Sequence, residues 1–230
     1  MTRGLVIPLV LIGSLLLAGC GNTDEAPSPR DAPQVQETVT SPHHTHGEHE
    51  HPESLAASEP LPGHSIYHLD NTWQTHRGEE MQLADLRGRP VVVVMIYANC
   101  DTACPILIRD ALRLEGEMAQ SSAAQTQFVM ITLDPRNDAP ETLAAYVRQN
   151  GLERENWHFL TAPEPQTRAV ATLLGVQYRP AGNGMISHTN LITVLDSQGQ
   201  VALRVEGLGQ PMDGARAAIE EALEETLGDG

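Results

Sequence analysis

The 230-residue chain contains no lysine. Its 14 basic residues are all arginine and are outnumbered by 30 Asp and Glu residues, which gives a formal net charge of −16 at pH 7. Without lysine the chain cannot support Schiff-base chemistry, a P-loop or a kinase-type site. The acidic balance also argues against nucleic acid and anionic lipid as partners, because both are bound through basic surface.

A long apolar run is also missing. The apolar stretch at the N-terminus covers only about residues 5–18, which is shorter than the roughly 20 residues of a membrane span. It has the length of a signal-peptide core and ends in Leu17-Ala18-Gly19-Cys20, which resembles the bacterial lipobox. We therefore predict a lipoprotein signal peptide over 1–19 and lipid attachment at Cys20; the alternative is an ordinary signal peptide with an incidental cysteine.

Either reading predicts export. The mature chain would belong to the bacterial cell envelope, with its domain facing the periplasm or the extracytoplasmic side, in an oxidising compartment. Lipid on Cys20 would make the membrane a partner and would leave only two free thiols in the chain.

Residues 20–61 have the composition of a disordered tether. The segment is acidic and rich in proline, and it has no aromatic residue, so it cannot bury enough apolar surface to fold. Half of the chain's ten histidines fall within nine of its residues, namely His43, His44, His46, His49 and His51. Neutral imidazoles bind borderline metals, so we predict weak metal recruitment here; the alternative is a solvated polar linker.

From residue 62 to residue 230 the pattern is that of one folded domain. Buried strands are predicted at 91–96 and 128–133, and each is followed by a helix, beginning near Cys104 and near Pro140. Ahead of them, two short strands are predicted, one at 65–69 and one in the stretch that ends at 83, with a turn at 70–71 between them. The later predicted elements are a strand at 157–160, a helix at 165–174, a hairpin of strands 191–195 and 201–205, and a helix at 215–227. This alternation predicts an α/β domain, with a central mixed sheet flanked by helices.

Cysteine is scarce, but two of the three cysteines lie at an informative place. Cys100 and Cys104 bracket the end of the predicted central strand and the start of its helix, where open α/β sheets bind ligands. Their spacing is one helical turn, and a helix N-terminus favours thiolate over thiol. Such a pair can exchange a disulfide or hold a soft metal such as Cu(I), and an inert structural disulfide is a third reading.

With these motifs the chain resembles the Sco/SenC family of copper chaperones over about residues 62–210. The matching motifs are Cys-x-x-x-Cys-Pro at 100–105, Leu-Asp-Pro-Arg-Asn-Asp at 133–138 with Pro-Glu-Thr-Leu at 140–143, and a late histidine, His188, before the strand at 191–195. The resemblance implies a thioredoxin-like fold with an extra hairpin. Asp101 departs from the pattern, since many members have proline after the first cysteine.

The resemblance also implies a site. Cys100, Cys104 and His188 would be copper ligands, with the cysteines also acting as a redox pair, and Asp134 would act near the ligands or contact a partner. Two thiolates and an imidazole form a donor set that suits Cu(I) and accepts Cu(II).

Two functions follow from the sequence. The first is a membrane-tethered, monomeric copper chaperone that delivers copper to, or reduces the cysteines of, the dinuclear copper site of cytochrome c oxidase. Its partners would be the copper-accepting subunit of that terminal oxidase and periplasmic copper donors or thiol reductants. The second is an enzyme, a thiol–disulfide oxidoreductase or thiol peroxidase that uses Cys100 and Cys104.

Overall fold

The computed structural model describes residues 61–228. The predicted signal peptide, the lipidation site Cys20 and the histidine tract at 43–51 lie outside this range. These assignments, and the division of the chain at residues 19 and 61, therefore stay predictions. Within the described range no helix combines the length and the apolar character needed to cross a membrane.

Between residues 61 and 228, nine strands form one large sheet and one separate hairpin. Their bounds are β1 Thr72–Thr75, β2 Glu80–Gln82, β3 Val91–Ile96, β4 Gln127–Thr132, β5 Trp157–Thr161, β6 Tyr178–Gly182, β7 Met185–His188, β8 Leu191–Leu195 and β9 Val201–Glu206. The large sheet has the order β2-β1-β5-β4-β3-β8-β9, in which β3, β4 and β5 run parallel and the other pairs are antiparallel. Among the strands of the described range, β6 and β7 pair only with each other.

Helices cover both faces of the sheet. They are α1 Ala103–Glu117, α2 Gln120–Gln125, α3 Pro140–Gln149, α4 Glu164–Leu174 and α5 Asp213–Gly228. Every residue of β3 is buried, and alternate side chains enter two different cores. Val92, Val94 and Ile96 pack in the core that contains residues of α1, α3 and α5, whereas the intervening residues pack in the core that contains residues of α4. A strand that is buried on both faces explains the uninterrupted apolar run in the sequence.

The predicted fold class is confirmed, and two details of the prediction are wrong. The stretch 65–69 is not a strand but a 3-10 turn at Ile66–His68, because the Ser65 hydroxyl accepts the Tyr67 N–H and starts the turn. The Asp-Asn pair at 70–71 precedes β1, and the strands β1 and β2 turn later, between Thr75 and Glu80. Two elements were not predicted, the short helix α2 and the β6–β7 hairpin.

Candidate functional site

Cys100 lies in the connection from the central strand to its helix and Cys104 lies in the first turn of that helix, as predicted. Both are free thiols; Cys104 is completely buried and Cys100 is 7% exposed. The Cys104 backbone N–H donates to the Cys100 sulfur across 3.3 Å, while the Thr102 side chain at the N-cap makes no capping bond. The sulfur of Cys100 therefore satisfies one of the unpaired N–H groups at the start of α1.

The two thiols differ in acidity. Burial opposes ionisation of Cys100, but polar groups around its sulfur stabilise the thiolate more strongly, so the pKa of Cys100 is lowered. These groups are the side chain and backbone of Cys104, the Thr102 backbone and the Tyr97 side chain. Burial, together with the hydrogen bond to Cys100, raises the pKa of Cys104. Cys100 is thus the more acidic thiol of the pair, which is the property expected of an attacking nucleophile, and Cys104 keeps its proton to higher pH.

The imidazole of His188 lies beside the buried cysteine. His188 is the last residue of β7, and its Nε2 atom lies 3.8 Å from the Cys104 sulfur. Its Nδ1 atom lies 3.0 Å from the carbonyl oxygen of Thr189, to which only a protonated nitrogen can donate. That bond assigns the proton to Nδ1 and directs the Nε2 lone pair at the sulfur. Histidines that bind metals are oriented in the same way.

Cys100, Cys104 and His188 together offer two sulfurs and one imidazole nitrogen, which suit a soft metal, although the structure does not bring all three side chains together. For sulfur and imidazole ligands at the distances of zinc sites, two ligands of a three-coordinate metal lie about 3.7 Å apart. The 3.8 Å between Cys104 and His188 matches this separation, and the Cys104 backbone N–H donates to the Cys100 sulfur. Among residues 61–228, however, no three His, Cys, Asp or Glu side chains already stand where they could hold one metal ion together. Binding would therefore require Cys100 and His188 to approach each other.

The β6–β7 hairpin, which carries His188, was not predicted from the sequence. At its tip Gly182, Asn183 and Gly184 all have positive φ, which a tight turn of this kind requires. At its neck the Thr189 N–H donates to the Gln177 carbonyl at 2.9 Å, and the Gln177 N–H donates to the Thr189 hydroxyl at 3.2 Å. The Asn183-Gly184 dipeptide is a strong hairpin signal and could have predicted this element.

The sequence singled out Asp134, but a different carboxylate is buried near the cysteines. The Asp134 carboxylate is half-buried and accepts a hydrogen bond from Asn137 in its own turn. Asp138 is 2% exposed, and one of its oxygens accepts both the Ala98 N–H at 3.0 Å and the Thr132 hydroxyl. Burial raises the pKa of Asp138. Asp138 therefore supports the segment that leads into Cys100, a role that no local sequence pattern reveals.

Tyr97 is the second residue that the sequence did not indicate. It follows β3 directly and is buried at 3% exposure. Its hydroxyl accepts the Ile186 N–H at 3.4 Å, its carbonyl accepts the Cys100 N–H at 3.3 Å, and its ring meets the His188 imidazole edge-on with 6.2 Å between centroids. Tyr97 thus contacts the first cysteine and the hairpin together.

Three of the remaining histidines of the domain make structural contacts, and the fourth is exposed. His68 Nε2 lies 2.8 Å from the Pro62 carbonyl oxygen, His76 Nδ1 accepts the Phe159 N–H, and His158 Nε2 lies 2.9 Å from the Gln127 amide oxygen. His64 is exposed.

The fold and the site define a thioredoxin-like α/β domain whose central strand leads into a pair of thiols beside an imidazole. The family model described as SCO1/SenC matches residues 64–224, which is more than half of the chain. The chain belongs to the SCO1/SenC family, so the family resemblance found in the sequence is confirmed.

Three solved structures illustrate the likeness. ScoI of Bradyrhizobium japonicum, solved with copper bound, is 23% identical and superimposes with a TM-score of 0.53, covering 66% of this chain and 96% of that one. BsSco, a member of the Sco family of cytochrome c oxidase assembly proteins in which a disulfide switch was identified, is 22% identical with a TM-score of 0.59, covering 66% and 91%. A SCO1/SenC family lipoprotein of Bacillus anthracis is 22% identical with a TM-score of 0.57, covering 69% and 91%. At these identities the likeness shows the fold.

Proposed function

We propose that this protein binds copper through Cys100, Cys104 and His188 and delivers it to, or uses its thiols to reduce the cysteines of, the dinuclear copper site of cytochrome c oxidase. The observation that carries the proposal is the Nε2 lone pair of His188 directed at the Cys104 sulfur from 3.8 Å. Sulfur donors favour Cu(I), and the imidazole extends the site to Cu(II). A family member solved with copper, and another described as an oxidase assembly protein, support it.

The proposal includes attachment to the cell envelope through lipid on Cys20. A lipid-anchored domain on a tether would meet a membrane-embedded oxidase at high local concentration, so transfer would not need high affinity between the proteins. The histidine tract at 43–51 would recruit metal weakly near the same membrane. The lipobox residues support the anchor, as does the lipoprotein among the similar structures.

A thiol–disulfide reductase is the second candidate, and the unequal acidity of the cysteines favours it. The Cys100 thiolate would attack one sulfur of a partner disulfide and release the other as a thiolate. Cys104, once deprotonated, would then attack the mixed disulfide, leaving Cys100 and Cys104 oxidised and the partner fully reduced. The lowered pKa of Cys100 and the raised pKa of Cys104 fit an attacking and a resolving thiol.

Copper titrations of the fully reduced protein under anaerobic conditions separate the two candidates. The wild type should bind one tight copper, and deletion of residues 43–51 should lower total uptake but keep that tight copper. His188→Ala should weaken Cu(II) binding more than Cu(I) binding, because the harder ion depends more on nitrogen. His64→Ala is the matched control, since His64 is exposed.

The same variants are assayed for thiol–disulfide exchange. A copper protein should keep its exchange rate in His188→Ala, because both sulfurs remain. If Cu(II) affinity is unchanged in His188→Ala while thiol exchange is damaged, the imidazole serves the thiols and the copper assignment is wrong.

A further inference from the structure

The β6–β7 hairpin needs an attachment to the domain that the main sheet does not provide. Its strands pair only with each other, and its neck is closed by the bonds between Gln177 and Thr189. Tyr178 of β6 packs on the core that contains residues of α4, and the Arg168 guanidinium lies 5.0 Å from the centre of its ring. Nearer the cysteines, the Ile186 side chain packs on the two cores, and the Ile186 N–H donates to the Tyr97 hydroxyl.

The position of Ile186 explains why this bond matters for His188. In β7 the side chains of Ile186 and His188 point to the same face of the hairpin, two residues apart. A bond that holds Ile186 therefore also limits the movement of His188. The Tyr97 ring adds an edge-on contact with the imidazole itself.

We propose that Tyr97 is the positioning residue of this site, whose hydroxyl holds the hairpin at the thiol pair and so keeps His188 beside Cys104. The hydroxyl accepts from Ile186, and the carbonyl of the same residue accepts the Cys100 N–H at 3.3 Å, so Tyr97 connects the segment of the first cysteine to the hairpin that carries His188. The effect on copper rests on the proposed function, whereas the attachment of the hairpin does not.

Backbone hydrogen exchange tests the attachment without any metal. In the reduced full-length protein, Tyr97→Phe should speed exchange of the Ile186 amide about two- to tenfold, the effect of losing one hydrogen bond. Tyr146→Phe is the control, because it also removes a hydroxyl from a ring that packs on the cysteine-containing core, but this ring lies against Phe159 of β5. Equal exchange of Ile186 in the wild type and Tyr97→Phe would overturn the proposal.

A double-mutant cycle tests whether Tyr97 acts through His188. Tyr97→Phe should weaken Cu(II) binding about two- to tenfold when His188 is present. In a His188→Ala background the same substitution should change Cu(II) affinity less than about twofold, because the group being positioned is gone. An equal loss in both backgrounds would show that the hydroxyl acts on the sulfurs or on stability, and would refute the assignment. If the wild type binds no tight copper, the proposed function fails and the exchange experiment alone decides for or against the attachment.

Discussion

Replacing Asp138 with alanine removes the single oxygen that two donors share. The Ala98 N–H and the Thr132 hydroxyl both donate to the same carboxylate oxygen, and Thr132 is 1% exposed. Leaving a fully buried donor unsatisfied costs about 1–3 kcal/mol. Because Ala98 is only half-buried, the two donors together should lower the free energy of unfolding by about 2–4 kcal/mol. For a domain of this size, that corresponds to a fall in Tm of about 5–15 °C.

Urea and thermal unfolding of three variants test this reasoning. Asp138→Asn keeps an oxygen that can accept both donors and should cost less than about 1 kcal/mol. Asp134→Ala loses one exposed bond, to Asn137, and should cost about 0.5 kcal/mol. The alkylation rate of Cys100 should change only in Asp138→Ala, where the segment after β3 loses its support. Equal destabilisation by Asp134→Ala and Asp138→Ala would refute the argument.

The dependence on pH gives an independent check of Asp138. Burial raises the pKa of Asp138 in the folded protein above its value in the unfolded chain. The protonated carboxyl therefore adds to stability at a pH below the unfolded pKa, and this contribution is lost as the pH rises through the folded pKa. Asp138→Asn should lack this loss. The stability difference between variant and wild type should therefore shift in favour of the variant with increasing pH.

Two further predictions concern redox state and acid. Oxidation of Cys100 and Cys104 to a disulfide should abolish tight copper binding, because imidazole alone holds Cu(I) poorly, and reduction should restore one equivalent of bound copper. Copper affinity is measured by competition in both redox states, and equal affinity would show that the ligands are other residues. Burial lowers the pKa of His76 to about 4, and the neutral ring accepts the Phe159 N–H at Nδ1. The contribution of His76 to the free energy of unfolding is therefore present above about pH 6.5 and is lost as the pH falls towards 4. Because the ring is about half exposed, we expect the wild type to lose about 1 kcal/mol of unfolding free energy from this group. Urea unfolding at pH 7 and pH 4.5 should show a smaller loss of stability in His76→Gln than in the wild type. An identical loss in the two proteins would contradict this account.

The central elements could be predicted because their signals are local. The continuous β-branched run of β3 and the apolar stripe of α1 each specify one element, and together they place Cys100 and Cys104 at the carboxyl end of a strand. The position of His188 beside Cys104 could not be obtained in this way. It came as an expectation from the family resemblance, since 84 positions separate the two residues.

The supporting residues escaped prediction because their contacts are not local. Tyr97 and Ile186 are 89 positions apart, and Ala98 and Asp138 are 40 apart, so no periodicity connects them. Strand β6 escaped for a different reason. Its residues are exposed except for the half-buried Tyr178, and it contains Pro180, so it has neither the alternation nor the composition of a typical strand.

The closed neck of the β6–β7 hairpin makes His188 part of a self-contained insert. Residues 178–188 leave and re-enter the domain at one point, where Gln177 and Thr189 are bonded to each other. A hairpin of another length or sequence could be exchanged there without breaking any pairing of the seven-stranded sheet. The thiols are fixed in the core, whereas His188, the proposed third donor, lies on an exchangeable hairpin. Variation among related domains, or deliberate grafting, can therefore alter the proposed nitrogen donor while the sulfur pair stays constant.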